Sequence, residues 1–201
     1  MAGQFEAVPG GGAAVALDEL EISILRTLTV QLLELIGPGD APADAEQPAD
    51  PLDALFAEGP SKPPADPALA RLFPDAYGEP GQGPDDEERA RSAEFRRYTE
   101  PDLRESKREN ALAVVRGLDS LAVQGEGGAV LKIGPEESRQ WLGTLNDLRL
   151  AIGARLDIRD DDDGEVLFRL PDEDERKPMV MAYLWLGGLQ ETLVETLMPT
   201  D

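Results

Sequence analysis

The side chains that could do chemistry in this sequence are carboxylates and arginines, because two commoner catalytic types are absent. The 201-residue chain contains no His and no Cys. It therefore lacks the commonest general base, the commonest metal ligand and the thiolate nucleophile, so Ser-His-Asp and Cys-His arrangements are impossible. Carboxylate chemistry, with or without magnesium, and Lys or Tyr chemistry remain. This composition predicts a non-enzymatic protein with no catalytic residue and no cofactor.

A run of four aspartates followed by Gly164 is the densest group of carboxylates in the chain. An EF-hand loop with its glycine at this position would need an acid at 159 and a Glu at 170. The sequence has Arg159 and Leu170 there instead. We therefore expect a solvated turn rather than a metal site, with weak Ca²⁺ or Mg²⁺ binding as the alternative.

Residues 89–108 are locally basic, with seven basic and four acidic side chains and hence a net charge of +3. On a helix they could present a face to nucleic acid or to an acidic partner. They could also be neutralised internally, since Glu100 and Arg104 stand at i,i+4 spacing, and this interpretation is favoured. The candidate partner-binding residues are Arg89, Arg96, Arg97, Arg104 and Arg108.

Polar residues also lie among the apolar positions of the segment 135–153 and just after it. A buried structural network is the default interpretation, because buried polar groups are normally hydrogen-bonded. The alternative is a functional polar pocket formed by Asn146, Arg149 and Arg155. No glycine-rich phosphate-binding loop is recognisable, because the Gly10–Gly12 run lacks the flanking Lys or Ser of such motifs.

The charge balance restricts the class of partner. There are 41 acidic and 19 basic residues, so the net charge is −22. Such a field repels phosphate backbones and anionic membranes, and predicts a protein partner and no tight DNA binding by the chain alone. No apolar run approaches the roughly 20 residues of a membrane span, and the first residues lack signal-peptide features. We expect a cytoplasmic protein.

The elements that must position these residues are mostly helices. Apolar spacing predicts a mainly α fold: a compact helical domain with one or two small edge β-hairpins. The last helix is apolar nearly all round at 179–189, which predicts a central position. The predicted core contact between the two best helices is Trp141, Leu145, Leu148, Tyr183, Trp185 and Leu189. The predicted elements are strands 4–8 and 13–17, helices 18–36, 85–98, 101–121, 135–153 and 179–198, strand 129–133, and a hairpin of 155–159 with 165–170.

The composition changes after Ile36. Residues 37–67 hold eight prolines and seven acids against the single Lys62, which predicts a largely disordered insertion. We divide the single domain into 1–36, a flexible acidic Pro/Gly-rich insertion at 37–84, and a helical remainder at 85–201. Leu52–Phe56 is either a partner-binding motif or an anchor to its own domain. Pro67–Phe73 is expected to dock onto the core.

A winged-helix interpretation is also open, with helices at 101–121 and 135–153 and a wing at 155–170. Four aspartates at the wing tip would suit phosphate poorly, so a protein-binding version would be favoured.

Three segments carry a resemblance to a known family: Asp18-Glu19-Leu20-Glu21-Ile22, the run from Trp141 to Leu150, and Gly153-Ala154-Arg155-Leu156. Together with the Pro-rich acidic insertion, they resemble the actinobacterial AosR-like oxidative-stress transcriptional regulators, formerly a domain of unknown function. The resemblance implies transcription control with an extracytoplasmic-function sigma factor. Redox sensing by paired cysteines does not carry over, because the chain has none. The alternatives are an adaptor or scaffold, for example in proteolysis, and a carboxylate-metal hydrolase.

Overall fold

The computed structural model describes residues 3–37, 59–78, 85–121, 128–159 and 167–198. The chain is mainly helical, with one small antiparallel sheet, as predicted. The elements are β1 (Phe5–Ala7), β2 (Ala13–Leu17), α1 (Glu19–Ile36), α2 (Pro67–Leu72), α3 (Asp86–Asp119), β3 (Ala129–Ile133), α4 (Pro135–Arg155) and α5 (Lys177–Leu197).

The predicted N-terminal hairpin forms, and its strands are the first two of a three-stranded sheet. Strands β1 and β2 pair antiparallel, and β3 adds to the other side of β2, with Val15 opposite Leu131. The turn needs glycine at Gly12, which has a φ of 92°. A Cβ at Gly12 would lie 2.2 Å from the carbonyl oxygen of Ile133, so only glycine allows the turn to approach β3 this closely.

Helix α1 begins and ends as its sequence signals predict. Asp18 and Glu21 form a capping box, and Gly37 ends the helix with a φ of 58°. Helix α3 lies antiparallel to α1. The Arg26–Asp119 ion pair joins one end of the two helices, and Arg104 donates to the carbonyl oxygen of Ile36 at the other.

The predicted break near Thr99 is wrong, because α3 continues through Pro101 for 34 residues. A proline in a helix removes one N–H and leaves the carbonyl four residues earlier, here Arg97, without its usual donor. Gly59 packs directly on that carbonyl: a Cβ there would lie 2.3 Å from the oxygen. The packing of Gly59 therefore supports α3 around Pro101, where the missing hydrogen bond would otherwise weaken the helix.

The central helix is α4, and the predicted central position of the last helix is wrong. Helix α4 packs against α1, α2, α3, α5 and β3. Helix α5 buries Leu189 on one face, but Met179 and Met181 are exposed on another. All six residues of the predicted contact belong to one core cluster, in which Tyr183 and Trp185 are only partly buried. The partners of Trp141 include the ring of Phe5.

Two further expectations need correction. The second hairpin does not form in the described residues: α4 runs through Arg155, a turn follows it, and residues 167–168 are helical. Within the predicted flexible insertion, residues 59–78 are ordered, because Asp66 caps α2 and Leu72 with Phe73 enters the core. Pro67–Phe73 thus docks as predicted, whereas the Leu52–Phe56 and Asp160–Asp163 interpretations lie outside the described residues.

None of the helices in the described ranges is long and apolar enough to cross a membrane.

Candidate functional site

An open apolar groove of about 740 Å³ lies between α1 and α5, with the C-terminal half of α4 as its floor. Clefts of this size that are lined mainly by apolar side chains are the usual form of a binding site. The groove is lined by Leu20, Glu21, Ile24, Leu28, Gln31, Leu32, Leu35, Leu148, Ala151, Ile152, Arg155, Glu175, Pro178, Met179, Met181, Ala182 and Trp185.

Helix α1 supplies one wall because its apolar arc is wider than its contact with the core requires. Leu25 and Ile36 point inward and are buried. Leu20, Ile24 and Leu28 recur at i,i+4 spacing on the adjacent face and line the groove. Leu20 is 67% exposed and Ile24 36% exposed, so this wall faces solvent.

Helix α5 supplies the opposite wall. Met179 and Met181 lie near its N-terminus, and Met181 is 46% exposed. Trp185 is partly buried one turn further along, and its indole Nε1–H is buried without an acceptor among the described residues. A buried donor without an acceptor costs about 1–3 kcal/mol, and this N–H is covered by protein atoms and does not face the groove.

The groove has an acidic rim and one lining cation. Glu21 and Glu175 line it, and Glu19 and Glu173 are exposed close to them in sequence. Arg155 is exposed at the end of α4 and forms no ion pair with any described residue. Apolar walls and a polar rim together are typical of a protein-binding surface.

The five arginines predicted to contact a partner lie elsewhere, on α3, and two of them belong to a buried cluster. Glu100 accepts from Arg96 on one side and, at 2.6 Å, from Arg104 on the other. Arg96 also donates to Asp75 at 2.8 Å and to the carbonyl oxygen of Phe73 at 3.0 Å. The guanidinium of Arg104 lies 4.4 Å from the centre of the Phe73 ring. This cluster fastens α3 to α1 and to the segment 59–78.

The remaining three arginines differ in exposure. Arg89 is exposed and pairs with Asp86 at 2.6 Å. Arg97 is half-buried. Arg108 donates to the carbonyl oxygens of Leu33 and Gly37 at 3.3 Å, so it caps the end of α1. A partner surface formed by the five arginines stays a prediction, and contact through Arg96 and Arg104 would require their buried ion pairs to open.

The residues of the predicted polar pocket have separate surroundings. Asn146 is exposed, whereas Arg149 donates to Gln190 at 2.7 Å and lies 4.9 Å from the centre of the Tyr183 ring. Arg155 belongs to the groove. The structure thus places Arg149 in contact with α5 and Arg155 in the lining of the groove.

Asp147 completes the polar network beside these residues. It is buried and accepts from Lys107 at 2.6 Å. Burial raises the pKa of the Asp147 carboxyl, and the Lys107 ammonium opposes that rise. A single buried ion pair between two helices is a structural contact of α3 with α4.

Metal chemistry has no site in the part of the chain that the structure describes. No group of three or more Asp or Glu side chains there is arranged to hold a metal ion.

Sequence reasoning missed the groove because it placed the last helix at the centre of the fold and identified no exposed apolar face on α1. One signal was present: apolar residues on α1 span 20, 24, 25, 28, 32, 35 and 36, which covers more than one face.

Comparison with known proteins agrees with the family resemblance. Residues 2–197 match the domain of unknown function DUF2017. The oxidative stress regulator AosR of Mycobacterium tuberculosis H37Rv is 30% identical over 186 residues, covering 89% of this chain and 78% of that protein. A relative from Mycobacterium leprae is 30% identical over 192 residues, covering 90% of this chain and 80% of its own length. No solved structure matches.

Proposed function

The chain belongs to the DUF2017 family, and from this premise we propose that it is a non-enzymatic regulator that controls transcription in the oxidative stress response by binding a protein partner. The names of the mycobacterial relatives support the regulatory role. An extracytoplasmic-function sigma factor is the first candidate partner. The absence of His and Cys supports a binding role over catalysis.

The single observation that carries this proposal is the apolar groove between α1 and α5. Exposed apolar side chains grouped in one cleft, with acids around them, favour a protein-binding surface over an active site. An active site built on carboxylates would bring several acids together in a pocket, whereas the described lining of this groove contains two acids, Glu21 and Glu175.

The experiment is complex formation with purified extracytoplasmic-function sigma factors from the same organism. We expect the chain to co-elute with one of them in size-exclusion chromatography and to change transcription from that factor's promoter by the purified holoenzyme. Failure to form a complex with any of these sigma factors, and an unchanged transcript level, would contradict the proposed partner. Affinity purification that returned a protease or its substrate instead would support the adaptor alternative.

A further inference from the structure

We propose that the groove binds one amphipathic α-helix of the partner, with basic residues on both flanks of its apolar face. This inference deepens the proposed function and rests on it in taking a protein as the occupant. Four observations carry it: the length of the groove, the nature of its apolar walls, the cation on its floor, and the sign of the charge around it.

The length of the groove fits a helix of several turns. The wall of α1 extends from Leu20 to Leu35, which is about 22 Å at about 1.5 Å per residue. The α1 wall corresponds to about four turns of a docked helix, and the α5 wall, from Pro178 to Trp185, corresponds to about two. Because α1 and α5 flank α4 from two sides, the partner helix would take the place of a further helix over α4. Laying the apolar face of a helix into such a groove is a recurring mode of peptide recognition.

The two walls offer different kinds of contact. Leu20 and Ile24 provide branched side chains on one side, and Met179 and Met181 provide flexible, polarisable ones on the other. Methionines adapt their shape to different apolar partners and are frequent on surfaces that accept several helices. The occupant should therefore present large apolar side chains at i, i+3, i+4 and i+7 spacing, while their identity matters less than their spacing.

The floor of the groove holds one cation that has no acceptor among the described residues, the Arg155 guanidinium. The last turn of an α-helix has up to four carbonyl oxygens without a donor and carries partial negative charge. This cation therefore matches the C-terminal end of a docked helix.

Charge selects a basic partner and disfavours self-association. Glu21 and Glu175 line the groove, and Glu19, Glu34 and Glu173 are exposed acids close in sequence to residues of its walls. Lys or Arg on the flanks of the partner helix would lie against these acids. A second copy of this chain would bring another net charge of −22, so like-charge repulsion opposes a homodimer at this surface.

The test uses the full chain and three fluorescein-labelled designed peptides of about 18 residues. At about 1.5 Å per residue such a helix is about 27 Å long, slightly longer than the α1 wall of the groove. The first has Leu at helical i, i+3, i+4, i+7 spacing and Lys elsewhere. The second has the same composition in scrambled order, and the third replaces Lys by Glu. At physiological salt, anisotropy should show the first peptide binding at least about tenfold more tightly than either of the others, since about 1.4 kcal/mol corresponds to tenfold.

Substitutions of groove residues that leave the net charge unchanged test whether the peptide binds in the groove. Ile24→Asn and Met181→Gln should each raise the Kd of the first peptide about tenfold, the scale of an interface hot spot. Val130→Asn is the control, because Val130 is a 58% exposed apolar residue on β3 that does not line the groove. It should leave the Kd unchanged, and circular dichroism should show all three variants folded.

Equal affinity for the ordered and scrambled Leu/Lys peptides would overturn the inference, because attraction by charge alone would then explain the binding. Unchanged affinity in both groove variants would overturn it as well. The outcome is separable from the proposed function. Binding of the first peptide that needs Ile24 and Met181, without any sigma-factor complex, would support the groove and contradict the proposed partner. A sigma-factor complex that both groove variants leave unchanged would support the partner and overturn the groove.

Discussion

At the scale of single residues, Glu100 is the group on which most contacts of the buried cluster depend. It accepts from Arg96 and Arg104, and both guanidinium groups are themselves buried. Without the Glu100 carboxylate, Arg104 would lose its carboxylate partner and Arg96 would keep only Asp75. The carbonyl oxygens of Phe73 and Ile36 would offset the desolvation cost of these buried cations only in part. The carboxylate of Glu100 is therefore needed to hold α3 against α1 and against the segment 59–78.

We expect Glu100→Gln to lower the free energy of unfolding by about 3–5 kcal/mol, the usual cost of removing one partner from a buried ion pair. Urea denaturation measures the change. Glu136→Gln is the control, because Glu136 pairs with Arg139 at the surface and such pairs contribute little. Equal small losses in both variants would mean that the α3 cluster contributes no more than a surface ion pair.

Asp147 should give stability an unusual pH dependence. Its folded-state pKa is raised by burial, so the folded protein takes up a proton at a higher pH than the unfolded chain does. Stability relative to Asp147→Asn, which cannot titrate, should therefore increase as the pH falls from 7 toward 5. Asp119 is the control, because Arg26 lowers its pKa and moves its titration below its usual value of 3.8. Urea denaturation of the native chain and the two variants at several pH values measures this. The difference in free energy of unfolding between the native chain and Asp147→Asn should change with pH from 7 to 5, and the difference for Asp119→Asn should not.

At the scale of elements, local signals predicted the ends of helices better than their interiors. Asp18 with Glu21 and Asp85 with Glu88 form capping boxes. Each box depends on two residues three positions apart in sequence, so it can be recognised from the sequence alone. Pro101 misled the prediction because what supports α3 there comes from Gly59, 42 positions earlier. Within 59–78, the docking of Pro67–Phe73 was predicted, but the order of the residues on either side was missed for the same reason. Their charge and proline content suggests disorder, while contacts such as that of Asp75 with Arg96 are distant in sequence.

The packing of Gly59 on α3 can be tested with one substitution and an internal control. Gly59→Ala should destabilise the protein, because its Cβ would lie 2.3 Å from the Arg97 carbonyl oxygen and 2.9 Å from the Pro101 ring. Gly188→Ala should stabilise it by roughly 1 kcal/mol, because Gly188 is inside α5 and its Cβ would meet nothing within 4 Å. Thermal denaturation should show melting temperatures that move in opposite directions. A rise in both would mean that Gly59 is not held against α3.

At the scale of the whole molecule, the sequence predicted the fold class and the polarity of the surface but not where the binding surface lies. The mainly α architecture and the N-terminal hairpin follow from periodicity, which depends on neighbours along the chain. Whether an apolar helix face becomes core or groove depends on what packs opposite it. Leu20 and Ile24 remain uncovered because α5 lies beside α1 across the groove, an arrangement that no local pattern encodes.

The last prediction concerns DNA and follows from the distribution of charge. Residues 89–108 contribute +3, so the remaining residues contribute −25, which together give −22. Two of the arginines in the basic stretch, Arg96 and Arg104, are also buried in ion pairs with Glu100. Specific binders neutralise several phosphates with accessible cations, and this chain offers few.

We therefore expect the purified chain to bind duplex DNA weakly and without sequence preference at physiological salt, and to affect promoter binding only when the sigma factor is present. The measurement is a fluorescence anisotropy titration against promoter DNA from its own genome, with and without purified sigma factor. Arg89→Glu is a useful control, since it reverses an exposed charge in the basic stretch while leaving the buried cluster intact.

Nanomolar, sequence-selective binding by the chain alone would contradict the charge argument. A DNA effect that needs the sigma factor and is lost in Ile24→Asn would connect the groove to transcription, because that variant changes no charge and lies outside the basic stretch.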